Sequence, residues 1–163
     1  MRVSDLNKQI EEGVCTPELF ISEAKYDEFM LRGLVPKAGD ILVTSRGTLG
    51  KCYIVNNDDR FYFQDGMISW LSDMDSNVSS LYISYLFSTA GIQEQIMNLQ
   101  AGSTVAYLSI AMLKRLDIML PSILEQEQFS AFVEQTNKSK LTIQASLDKL
   151  EVMKKALMQV YFG

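Results

Sequence analysis

The chain has 163 residues, 47% hydrophobic and 21% charged, proportions that exclude a disordered or fibrous protein and allow one core with an appended element. Its 15 Lys plus Arg against 20 Asp plus Glu leave a net charge of −5, which at face value argues against a nucleic-acid binder, since such proteins are more often basic. With no histidine and only Cys15 and Cys52, the chain cannot build Ser-His-Asp or Cys-His catalytic sets, His-bearing zinc sites, a four-cysteine metal site or a disulfide framework.

In chain order, residues 14–21 read as a short strand interrupted by Pro17, and residues 27–31 as a weak helical turn. Residues 40–44 and 51–55 read as paired strands. Between them lies a polar loop punctuated by Gly47 and Gly50 and carrying Ser45, Arg46, Thr48 and Lys51. The glycines let the backbone turn and approach a ligand, while the two cations and two hydroxyls suit phosphate or base edges. A nucleotide-binding P-loop is excluded. Ser45 stands where its first glycine belongs, Cys52 follows the lysine, and the next residues are strand-like rather than helical. An ordinary hairpin turn with two solvated cations accounts for the same residues equally well.

NNDDR, residues 56–60, is a turn. Residues 61–64 and 67–71 continue the sheet around a bend at Gly66. Asp73, Asp75 and Asn77 resemble the start of a calcium loop, but Val78 at the sixth position and Ser84 at the twelfth break it, leaving a solvated turn that caps the next helix. Leu81, Tyr82, Tyr85, Leu86, Ile92, Ile96 and Leu99 then recur at helical spacing, with Gly91 expected to divide two helices and the aromatics Tyr82, Tyr85 and Phe87 assigned to the core. QAGSTVAY, residues 100–107, is a second loop. Gln100, Ser103, Thr104 and Tyr107 offer an amide, hydroxyls and a phenol; helix capping is the structural alternative.

The last element is a long helix introduced by Pro121 and Ser122, with Glu125 placed for a capping box. Phe129, Val133, Thr136, Lys140, Ile143, Leu147, Leu150, Lys154, Leu157 and Tyr161 alternate by four and three residues, a coiled-coil seam whose two lysines weaken it and restrict register. At about 1.5 Å per residue such a helix spans roughly 60 Å, longer than one side of so small a domain, which favours a partner helix. Residues 37–60 carry four cations and three anions, and they form the one positive block. No apolar run approaches the roughly 18 residues of a membrane span and no signal-peptide pattern opens the chain, so a cytoplasmic location is expected.

Residues 36–55, PKAGDILVTSRGTLGKCYIV, together with Gly102, Ser103, Thr104, Leu108, the run LKRLDIMLPSILEQEQF at 113–129 and KLEVMKKALM at 149–158, resemble the DNA-specificity subunit of type I restriction-modification systems. The resemblance covers nearly the whole chain in the family's order. It implies an α+β architecture: a target-recognition domain with a twisted sheet and short helices at 1–121, followed by a spacer helix of coiled-coil type at 122–163. It further implies DNA contacts by Ser45, Arg46, Thr48, Lys51, Gln100, Ser103, Thr104 and Tyr107. Pairing with a second half-subunit or a second copy falls to Phe129, Val133, Ile143, Leu147, Leu150 and Leu157. Methyltransferase and restriction subunits are the implied partners, and no cofactor or catalysis is expected of the chain itself. Family members usually carry two recognition domains and begin further upstream, so a half-subunit without the first strands is expected. A coiled-coil interaction protein or truncated remnant without DNA binding is the alternative reading, and a small hydrolase a third.

Overall fold

The computed structural model describes residues 1–63, 66–101 and 105–162, and the chain divides into the units Met1–Ile123 and Leu124–Gly163. The first unit opens on α1 (Val3–Glu12), which the sequence analysis did not anticipate. The Arg2 N–H donates to the Asp5 carboxylate at its start, and Gly13, at φ +74°, ends it in the left-handed region. Leu6 on its inner face is fully buried.

Residues 14–21 form no strand. Pro17 removes a ladder donor and no neighbouring strand pairs with the segment, so Val14, Leu19 and Phe20 stay exposed. The helical turn expected at 27–31 is a full helix, α2 (Glu23–Leu31), because Ser22 caps it: its Oγ accepts the Lys25 N–H at 3.3 Å.

The sheet has three strands, β1 (Ile41–Thr44), β2 (Cys52–Ile54) and β3 (Ile68–Leu71), in the order β2-β1-β3 with both pairings antiparallel. Leu42 stands opposite Tyr53 on one side and Trp70 on the other. All four residues of β1 are buried because both faces of the sheet are covered. Ile41 and Val43 enter one core with Ile83, Phe87, Ile92, Ile96 and Leu108, while Leu42 enters a second with Leu6, Val55 and Ile68. Of the strand expected at 61–64, residues 61–63 form none and Gln64 lies outside the described residues; Phe61 and Phe63 instead fill the edge of the Leu42 core, Phe63 meeting Trp70 edge-on at 6.0 Å.

After the turn at Asp75, the helix α3 (Ser80–Phe87) is capped by Ser79, whose Oγ accepts the Tyr82 N–H, rather than by the aspartates. Phe87 is buried as expected, and Tyr82 lies at the core's edge with its hydroxyl on the Met119 carbonyl at 3.0 Å. The break before α4 (Ala90–Leu99) falls at Ser88 and Thr89, not at Gly91, which sits inside α4. Both hydroxyls bond back to the carbonyls of Tyr85 and Leu86, at 2.6 and 2.7 Å, and Thr89 turns extended. A single turn, α5 (Ile110–Leu113), follows under a Ser109 cap.

The second unit is the body of α6 (Ile123–Phe162), 40 residues long. Of its seam, Val133 is buried, while Ile143, Leu147, Leu150 and Leu157 are all at least half exposed. The architecture is therefore α+β, with a small antiparallel sheet, short helices and one long C-terminal helix.

Candidate nucleic-acid interface

The loop between β1 and β2 is held from beneath. The Thr44 hydroxyl, fully buried, donates to the Thr48 carbonyl and accepts the Lys51 N–H at 3.0 Å, while the Gly50 N–H closes the turn on the Thr44 carbonyl at 2.9 Å. Gly47 and Gly50 both adopt positive φ, +78° and +73°. At Gly50 a side chain has no room, since a Cβ there would lie 2.7 Å from Cδ1 of Ile96. Burial pushes the adjacent Cys52 thiol up to about 12, so it stays protonated and is no nucleophile.

Ser45 is not on the surface. It is fully buried, its N–H donates to the Met67 carbonyl at 2.7 Å, its carbonyl accepts the Leu108 N–H at 2.9 Å, and its hydroxyl meets that of Ser69 at 2.7 Å. Three chain segments are thereby stapled together. Arg46 follows in an isolated antiparallel bridge with Tyr107, and its exposed guanidinium has no ion-pair partner among the described residues. Thr48 is exposed beside it. Lys51 is paired: its Nζ lies 2.5 Å from Oε1 of Glu11 on α1. Arg60, another cation of the positive block, lies 4.9 Å over the Tyr26 ring and 3.7 Å from Glu23.

The second loop does come beside the first. The Gln100 side chain clasps the Tyr107 backbone, its Oε1 accepting the Tyr107 N–H at 2.9 Å and its Nε2 donating to the Tyr107 carbonyl at 3.0 Å. The Tyr107 hydroxyl donates to the Gly66 carbonyl at 3.1 Å, so the segment before β3 joins the same surface. Gly102, Ser103 and Thr104 lie outside the described residues. Sequence reasoning missed Glu11, Met67 and Ser69. Glu11 was within reach, since Val3, Leu6 and Ile10 recur at helical spacing and all join the Leu42 core. Nothing local marks Met67 or Ser69.

Residues 21–152 match the family described as the type I restriction modification DNA specificity domain. The chain belongs to this family. Domains of this family confer specificity and are non-catalytic. Over 120 residues the chain is also 29% identical to a Haemophilus influenzae protein named as a type I restriction enzyme specificity subunit, covering 72% of this chain and 29% of that one. The chain thus spans less than a third of that relative's length.

Proposed function

We propose that this chain reads a double-stranded DNA sequence for a type I restriction-modification complex, through the face formed by the β1–β2 loop and the segment at Tyr107. The observation that carries the reading, beside family membership, is Arg46: an exposed, planar guanidinium with no ion-pair partner among the described residues, on a backbone bridged to Tyr107, with exposed Thr48 next to it. A guanidinium fork suits guanine O6 and N7 in the major groove, and the neighbouring hydroxyls suit phosphate or base edges. Ser103 and Thr104 add hydroxyl contacts to DNA in this reading, Lys51 contributes phosphate contact in competition with Glu11, and Ser45 and Gln100 support the loop from within.

Residues 1–121 act as the recognition domain and 122–163 as the spacer. The exposed seam of Phe129, Ile143, Leu147, Leu150 and Leu157, with Val133, pairs with a second copy or a second half-subunit. Methyltransferase and restriction subunits, in the cytoplasm, supply S-adenosylmethionine and ATP chemistry and, because this chain carries −5, most of the non-specific affinity. Fluorescence anisotropy of the chain with its methyltransferase subunit, on a duplex selected from a random pool, tests the reading. Arg46→Ala should cost about 1–3 kcal/mol on the selected site and relax preference at one base pair. Unchanged binding in a folded Arg46→Ala protein makes the loop a hairpin turn and favours the interaction protein without DNA binding.

A further inference from the structure

We propose that Gln100 is a positioning residue for DNA discrimination, acting through the Tyr107 peptide rather than by touching a base; the proposal rests on the DNA reading above. Both functional atoms of its amide are engaged by one residue, Oε1 by the Tyr107 N–H at 2.9 Å and Nε2 by the Tyr107 carbonyl at 3.0 Å, with Nε2 also 3.4 Å from the Met112 sulfur. A side-chain amide used in this way stands in for the neighbouring strand of a ladder, presenting one donor and one acceptor to an extended residue. Tyr107 needs such a partner, because it meets Arg46 in a single isolated bridge instead of a continuous sheet.

Tyr107 also ties its hydroxyl to Gly66, and the next residue, Leu108, donates its N–H to the Ser45 carbonyl. Gln100 therefore sets where Arg46 stands relative to the segments at 66 and 107. Helix α4 repeats the device one and a half turns earlier. Gln95 holds Asp117 in the same manner, Oε1 accepting its N–H at 2.8 Å and Nε2 donating to its carbonyl at 3.0 Å. Asp117 takes no part in the proposed face, so Gln95→Ala removes an equivalent clasp from the same helix and reports what mere loosening of α4 does.

Two measurements decide the matter: amide-exchange protection of the full-length chain by nuclear magnetic resonance, and enrichment of sequences from a random duplex pool by that chain in complex with its methyltransferase subunit. In Gln100→Ala, protection of the Tyr107 amide should fall about tenfold and sequence preference should collapse, with affinity for random duplex unchanged. Gln95→Ala should retain the preference. Gln100→Glu adds a readout that a merely structural role does not move. Its ionised carboxylate still accepts the Tyr107 N–H but cannot donate to the carbonyl, whereas the protonated acid does both. Preference should thus return as pH falls from about 7.5 toward the carboxyl range near 4.3. Unaltered Tyr107 protection in Gln100→Ala overturns the clasp; lost protection with preference intact, or equal loss in Gln95→Ala, overturns its role in discrimination. A wild-type chain that enriches no sequence even in complex with its methyltransferase subunit overturns the DNA reading itself, and the positioning role with it, even where the exchange result holds.

Discussion

Lys51 stands 2.5 Å from Glu11, with 30% of its side chain exposed, and this pairing sets what the lysine can offer to a phosphate. A surface pair of this kind stabilises the fold by about 1 kcal/mol or less, so it yields readily to a stronger anion. Glu11→Gln should therefore leave the melting temperature nearly unchanged, strengthen binding to cognate and random duplexes alike, and steepen the salt dependence by about one unit. Anisotropy across a salt series measures this; an unaltered slope shows that Lys51 meets no phosphate. Cys52 makes a pH prediction of definite sign. Burial raises its thiol from the ordinary 9.0 to about 12, so above about pH 9 the unfolded chain loses a proton that the folded chain keeps. Stability must then fall as pH rises through this window, at up to about 1.4 kcal/mol per pH unit from this group, and must be untouched by it below pH 9. The Tyr53 phenol is raised too, by desolvation and then by its bond to Asp59, and contributes in the same direction. Comparing urea midpoints of wild type and Cys52→Ala between pH 8 and 10.5 cancels Tyr53. Parallel curves for the two proteins would show that the thiol ionises at its ordinary value.

At the scale of elements, α6 stands apart because its apolar side chains are left uncovered along most of its length. Ile143 is 61% exposed and Leu150 60%, while the first unit buries its own core residues below 9%. Burying such side chains is worth about 1.5–3 kcal/mol each, and a second helix of the same period covers several at once. Light scattering should accordingly find the wild-type chain paired at micromolar concentration and a Leu147→Asp, Leu150→Asp protein monomeric, with the sheet unit intact by near-ultraviolet circular dichroism. Equal masses for the two proteins would remove the pairing role from α6. Two of the elements that the sequence misassigned have separate physical causes. Residues 14–21 have strand propensity but no partner, since the sheet closes with β1 between β2 and β3 and leaves no strand beside them. The break before α4 was assigned to Gly91, yet the hydroxyls of Ser88 and Thr89 compete with the helix more strongly than a glycine weakens it.

Over the whole molecule, the sequence by itself determined the paired strands around the Arg46 loop, the α+β class, the long terminal helix and the family, which the match over residues 21–152 bears out. Each of these rests on local signals: alternation, turn glycines, helical period and the order of short motifs. Helix α1 was equally legible in Val3, Leu6 and Ile10 and was overlooked. The state of each polar group in the candidate face was decided only by tertiary structure. Ser45 looks like a surface donor in the sequence, but it is buried against Ser69, 24 residues away. Lys51 looks like a free cation, but it is paired with Glu11, 40 residues away. Gln100 looks like a base reader, but its amide is closed on the Tyr107 peptide. The composition of a loop shows which groups are present, whereas their availability depends on what the covered faces of the sheet bring alongside. A buried hydroxyl or amide must then find its partner there, because leaving it unpaired costs about 1–3 kcal/mol.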